Sequence, residues 1–222
     1  SLIAIIAGGL AGALNGVFVA WIRVHPLIVT LATLAAFRGI AEGISLGRPI
    51  SGFPETFAWI GRGQIGSLPV PGVIVILAII AAMVILGKTP FGKFLYAMGH
   101  NETGARFSGI DVNRIKFFLY TLAGIAAGIC AVLYVARRNT AKADIATGME
   151  LDVITAVVLG GTSIFGGRGT IIGTILGVLM IHEVREFVSW RWNQDELNLV
   201  VIGALLIVAV LLNRFFAPKN AR

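Results

Sequence analysis

The feature that most constrains this chain is a succession of long apolar runs separated by polar stretches. Leu2–Ile22, Pro26–Ser45, Val70–Leu86 and Ile115–Val135 each approach the roughly 20 apolar residues that a helix needs to cross a bilayer core. Hydrocarbon supplies no hydrogen bonds, so such runs are expected to be helices that satisfy their own N–H and C=O groups. Composition agrees: 57% of the 222 residues are hydrophobic and 13% are charged, against about 25% charged in a soluble domain. Disorder requires low hydrophobicity and is excluded. The single cysteine, Cys130, excludes an intrachain disulfide framework and a cysteine-ligated metal site.

Beyond Val135 the pattern becomes irregular. Leu151 to Leu159 is too short to cross alone and runs into Gly160, Gly161, Gly166, Gly167 and Gly169. The pattern predicts a short, interrupted crossing over Glu150–Ile164, a span from Thr170 to Ile181, a polar stretch from Glu183 to Glu196, and a last span from Leu197 to Leu212. The expected fold is all-α, a polytopic integral membrane helical bundle of about seven crossings. Two short crossings point to a multi-helix core around a pathway, the alternative being irregular helices that merely pack. The chain opens inside an apolar run, with no charged leader region or cleavage site, so Leu2–Ile22 is not read as a signal peptide. The natural chain is expected to extend further toward its N-terminus. Pro26 suits a first helical turn, where a missing N–H costs nothing.

A net charge of +7 raises the question of nucleic acid, but in a membrane protein basic residues mark the cytoplasmic loops. One side of the expected bundle carries Arg23, Lys88, Lys93, Arg106, Arg114, Lys116, Arg168, Arg214, Lys219 and Arg222. The other carries fewer: Arg48, Arg62, Arg137, Arg138, Lys142, Arg185 and Arg191. The first side is therefore expected to be cytoplasmic, and no nucleic-acid partner is implied.

Gly8, Gly12 and Gly16 recur every four residues, and Gly124/Gly128 and Gly173/Gly177 repeat the spacing. Small residues so placed let helix backbones approach closely. Asn15, Thr30, Thr33 and Thr155 are candidates to line a polar substrate path or to bond between helices. Arg38 and Glu42, four apart, can pair on one helix face. Trp59, Trp190 and Trp192 are expected to anchor at the membrane interface.

Catalytic motifs are absent: there is no G-x-S-x-G, H-E-x-x-H or C-x-x-C. His25, His100 and His182 have no partners at metal-ligand spacing, and the glycine run Gly160–Gly169 lacks the Lys-Ser/Thr of a phosphate loop. No cofactor or metal is implied, and a membrane enzyme is disfavoured. A channel or secondary transporter would call for an intramembrane ionisable relay, for which the spans offer only Arg38 and Glu42.

The segment Phe91–Val112 stands out. A basic amphipathic approach leads to a short helix that Asn101 can cap, with Glu102 and Arg106 four apart and Gly109 placed to end it in a left-handed conformation. Phe107 and Ile110 would expose apolar surface beside these charges. Two readings stand level on composition: a helix built to dock into another protein, or a solvated loop held by its own cap.

At this segment the chain resembles a known family. Met98-Gly-His-Asn-Glu-Thr-Gly-Ala-Arg-Phe-Ser-Gly-Ile-Asp-Val112 is similar to the coupling segment of permease subunits of bacterial sugar ABC importers, the ribose, xylose, rhamnose and autoinducer-2 group. His25-Pro-Leu-Ile-Val-Thr-Leu-Ala-Thr-Leu34 with Arg38-Gly39, Gly148-Met-Glu-Leu-Asp152, Val157-Val-Leu-Gly-Gly-Thr-Ser163 and Gly166-Gly-Arg-Gly-Thr170 follow in the same order. The resemblance implies a single transmembrane permease domain over 1–222 that lacks the family's N-terminal helices, with a cytoplasmic coupling loop over 88–113. It implies residence in the bacterial inner membrane and a second permease subunit, identical or related. A cytoplasmic ATPase would receive Gly99, His100, Asn101, Glu102, Ala105, Arg106, Phe107, Ser108, Gly109 and Ile110. On the outer face, Arg48, Glu150 and Asp152 would meet a sugar-loaded binding protein. The stretch Ile181–Trp192 departs from the family pattern, being more charged and aromatic.

Overall fold

The structure, a computed structural model, describes residues 1–164, 166–192 and 195–216. Lys219 and Arg222 of the basic side, and Phe165 of the glycine run, lie outside the described residues. In chain order the elements are α1 (Leu2–Ala20), α2 (Pro26–Ser45), β1 (Ile50–Ser51), α3 (Glu55–Arg62), β2 (Gln64–Ile65), β3 (Leu68–Pro69), α4 (Val70–Lys88), α5 (Pro90–His100), α6 (Glu102–Phe107), α7 (Val112–Arg138), β4 (Thr140–Ala141), α8 (Met149–Leu159), α9 (Ile171–Trp192) and α10 (Asp195–Phe216). Among the described residues, α1, α2, α4 and α7 are long and apolar enough to cross a membrane. The chain is mostly helical, as expected. It forms two compact units, one from residues 1–81 and 105–145, the other from 82–104 and the residues from 146 onward.

The first unit is organised on α1 and α7. Their glycines face each other: a Cβ added at Gly12 would meet the Tyr120 carbonyl and lie 3.0 Å from the Gly124 Cα, and one at Gly128 would lie 2.8 Å from the Ile5 Cα. Without side chains in the seam the two backbones pack directly, which supplies the van der Waals contact that lipid cannot replace. The four-residue glycine spacing is thus a helix contact, as the sequence indicates. Trp21 closes the end of the seam against Phe117, ring centroids 5.2 Å apart.

At the other end of α7, Asn139 takes a left-handed conformation (φ 54°) and its Oδ1 accepts the Phe53 N–H at 3.1 Å. β1 pairs antiparallel with β4, Ile50 opposite Ala141 and Ser51 opposite Thr140. Arg62 Nε donates to the Arg137 carbonyl at 2.8 Å, so α3 is tied across the end of α7. Nearby, the Lys142 ammonium, hydrogen-bonded to Asp144 at 2.7 Å, holds that exposed carboxyl below the usual carboxylate range. These strand pairs had no signature in the sequence, because two residues give no alternation to detect.

The second unit packs α8 against α9 through another small-residue seam. Substituents at Gly173 and Gly177 would collide with the carbonyls of Gly160 and Ala156 respectively. Here the expected polar stretch over Glu183–Glu196 is corrected: α9 continues to Trp192. Neither glycine nor proline occurs between 178 and 192, so charge alone does not break the helix. α8, at 11 residues, extends only about 17 Å, short of a full crossing as expected.

The α1–α7 seam generates a direct test. Gly12→Ala forces backbone apart and should cost about 1–3 kcal/mol. Gly43→Ala, in α2 with nothing within 4 Å of the added methyl, should be neutral or stabilising by up to about 1 kcal/mol. Thermal unfolding of both variants in mild detergent reads the difference; equal losses would contradict the seam.

Candidate functional site

α5 begins at Pro90 with Thr89 as its cap, the Thr89 hydroxyl accepting the Gly92 N–H at 3.4 Å. It ends at Asn101, whose extended backbone starts the next helix. The Asn101 Oδ1 accepts the Gly104 N–H at 2.8 Å, the cap expected from the sequence. At the far end Gly109 sits at φ +83°. Its N–H donates to the Arg106 carbonyl at 3.0 Å, and the Ile110 N–H donates to the Ala105 carbonyl at 3.1 Å. That pair of bonds is the Schellman closure. A six-residue helix pays nucleation in full, and α6 persists because both of its ends are satisfied.

The side chains sort by position. Ala105 is buried and anchors the turn, while Phe107 is 89% exposed. Arg106 is exposed and donates to the Asn113 Oδ1 at 2.7 Å; Ser108 is exposed and Ile110 half-buried. Asp111 caps α7 by accepting the Arg114 N–H at 3.2 Å and pairs with the Arg114 guanidinium at 2.9 Å. A short rigid helix thus presents one bare aromatic side chain between two capped helices.

The base of this segment rests on the glycine run, a contact the sequence analysis missed. Backbone of Gly99 lies against Gly166 and Gly167: a Cβ at Gly99 would be 2.9 Å from the Gly167 Cα. A substituent at Gly167, itself at φ +77°, would strike the His100 ring. Tyr96 Oη donates to the Gly169 carbonyl at 2.9 Å. The run is therefore a close-packing surface for α5. The only signal for it was glycine density without a phosphate-loop lysine.

The pathway candidates lie on α1, α2 and α8. Thr30 and Thr33 donate to carbonyls of their own helix, Pro26 and Val29, both at 3.0 Å. Asn15 has a buried Oδ1 with no hydrogen-bond partner among the described residues. Thr155, in the second unit, is fully buried and donates to the Leu151 carbonyl of its own helix at 2.6 Å. Arg38 and Glu42 share a helix, but the ion pairs of the described residues do not include them. Arg48 and Glu150 are exposed. Asp152 is not: its residue is 9% exposed and pairs with Arg185 at 2.8 Å. Unlike the other two expected docking charges, it is therefore engaged within the chain, with α9. No group of three or more His, Cys, Asp or Glu that could hold a metal occurs among the described residues.

Comparison with known proteins gives a consistent picture. Residues 1–210 match the family described as branched-chain amino acid transport system / permease component. The chain is 40% identical over 202 residues to a ribose import permease protein of Bacillus subtilis, covering 90% of this chain and 63% of that one. It is 35% identical over 216 residues to a D-allose transport system permease protein of Escherichia coli, covering 96% and 65%. It is 33% identical over 211 residues to an autoinducer 2 import system permease protein of Yersinia enterocolitica, covering 92% and 58%. The chain thus spans about two thirds or less of the length of these relatives. No solved structure matches it.

Two substitutions test the local geometry. Asn101→Ala removes the cap of α6 and should cost about 1 kcal/mol locally, read as roughly fivefold faster amide exchange at Gly104. Gly109→Ala places a β-carbon at positive φ and should cost about 1 kcal/mol as well. Unchanged exchange over 102–110 in both variants would contradict the two-ended closure.

Proposed function

The chain belongs to the family of branched-chain amino acid transport system permease components, and from that premise we propose that it is the membrane-spanning subunit of an ATP-driven importer of a small sugar. It is a multi-pass protein of the inner membrane. The relatives named for ribose, allose and autoinducer 2 support a small-sugar cargo: a pentose, a hexose or deoxyhexose, or the furanose-like signalling sugar. The observation that carries the reading is α6, a helix closed at both ends that holds Phe107 89% exposed. A large apolar side chain on a rigid polar turn is the anchor of a protein interface.

In this reading the segment Gly99–Ile110 seats in a cleft of a cytoplasmic ATPase. Phe107 and Ile110 supply apolar contact, and Glu102 and Arg106 set the register. Asn101, Gly109 and Ala105 keep the turn stiff, and Gly99, His100 and Ser108 complete the surface. ATP binding closes the ATPase pair and pushes on α6. α5 passes that displacement to the glycine run through Gly99 and Tyr96, and from there to the ends of α8 and α9. Hydrolysis belongs to the partner. α8, α9 and α10 complete about seven crossings in this chain. A second permease subunit supplies the other half of the pathway, and a sugar-binding protein meets the outer face near Arg48 and Glu150.

Co-purification in mild detergent tests the docking. The ATPase should accompany the wild-type subunit, and the double reversal Glu102→Arg with Arg106→Glu should lower its recovery at least tenfold; Phe107→Asp should do the same. Retention of the ATPase and of the uptake rate by the double variant would contradict the assignment. Uptake of labelled pentoses, hexoses and the signalling sugar by the complete importer identifies the cargo.

A further inference from the structure

The second unit contains a polar cluster that the coupling mechanism leaves unused. Asp152 on α8 and Arg185 on α9 meet through one contact, Oδ2 to Nη2 at 2.8 Å. A guanidinium normally grips a carboxylate with two parallel bonds, the second running from Nε to the other oxygen. Among the described residues the Asp152 Oδ1 and the Arg185 Nε, both buried atoms, are left without a hydrogen-bond partner, in side chains that are 12% and 38% exposed. One turn further along α9, Ser189 Oγ accepts the Asn198 Nδ2–H from α10 at 3.0 Å. Among the described residues the Asn198 Oδ1 is again buried without a partner, in a residue only 8% exposed.

Buried polar atoms left unpaired are costly, and native proteins supply them with partners. The chemistry of the missing partner follows from what is left over. An anion would be repelled by the Asp152 Oδ1, and a cation by the Arg185 Nε–H. A hydroxyl satisfies both, because it donates one hydrogen bond and accepts others. A second hydroxyl can donate to the Asn198 Oδ1. The set therefore suits a neutral molecule bearing several hydroxyls. Asp152 lies in the first turn of α8, and Arg185 lies about 21 Å along α9 from Ile171 at 1.5 Å per residue. The cluster thus occupies the end of these helices remote from the glycine run.

We propose that Asp152, Arg185 and Asn198 form a hydroxyl-recognising station for the transported sugar, located where it enters the second unit from the outer face. The proposal rests on the import reading above. It makes the opened second prong of the ion pair the binding feature: the sugar hydroxyl bridges Oδ1 and Nε–H in place of the direct bond.

The test uses the complete subunit, reconstituted with its ATPase and binding protein in proteoliposomes, with D-ribose, D-allose and their monodeoxy analogues as probes. The binding protein is common to all measurements, so a change in discrimination belongs to the permease. Arg185→Lys keeps a cation beside Asp152 but has no Nε–H to give. It should raise the KM for uptake of the transported sugar about tenfold or more, while hardly affecting the analogue that lacks the bridging hydroxyl. Asn198→Ala leaves the ion pair intact and should raise the KM similarly, with a different analogue insensitive. If Arg185→Lys assembles poorly, Asn198→Ala still decides. Variants that lower thermal stability but keep the wild-type KM and the wild-type discrimination would overturn the station, leaving a structural tie with a trapped water only. A wild-type complex that imports none of these sugars would overturn the import reading, and the station with it.

Discussion

Hydrocarbon neither hydrogen-bonds to backbone nor drives apolar side chains together, and the rest of this structure follows from that constraint. Helices answer the first part. Glycine seams answer the second: α1 and α7 touch backbone to backbone along Gly8, Gly12, Gly124 and Gly128, and α8 meets α9 along Gly160, Gly173 and Gly177. Each unit contains such a seam. The large side chains these helices leave exposed, such as Leu2, Ile3 and Ile172, are then free to face lipid or further protein.

The same economy of contact shapes the α5–α6 segment. α6 is too short to be stable by propagation, so its rigidity comes from its ends, an asparagine cap and a Schellman closure. Its neighbour α5 has no side chain at Gly99, which brings its backbone onto the glycine run. A stiff turn on a close-packed base transmits displacement better than a solvated loop would. The proposed coupling needs only that a partner push on Phe107 and its surroundings. Charge is treated differently in the α8–α10 region, where a largely buried Asp152 meets a partly exposed Arg185 in a contact that leaves two buried atoms unsatisfied among the described residues. Such an arrangement has a cost that a bound hydroxyl removes.

Much of this was legible in the sequence, because the strongest signals were long. α2 occupies Pro26–Ser45 as expected, and α4 extends the expected Val70–Leu86 only to Lys88. α7 starts at Val112, ahead of Ile115, because Asp111 caps it; a local side-chain bond shifts a boundary that hydropathy alone cannot place. The caps of α6 were legible for the opposite reason, since Asn101 and Gly109 act on residues three or four away. What hydropathy could not show was contact at long range. The pairing of β1 with β4 joins residues some ninety apart, and Asp152 finds Arg185 across a glycine run and most of a helix. The charges at 183–186 suggested a loop, yet nothing there breaks a helix, and one of those charges had a buried partner waiting.

The proposed coupling requires α6 to face the cell interior and to be gripped there by another protein. Cysteine introduced at Thr103, with Cys130 replaced by alanine, reports this through an impermeant thiol reagent. The prediction is no labelling on intact cells, strong labelling in inside-out vesicles stripped of peripheral proteins, and protection when the ATPase is present. Labelling on intact cells would put the capped helix on the wrong side of the membrane and contradict the mechanism.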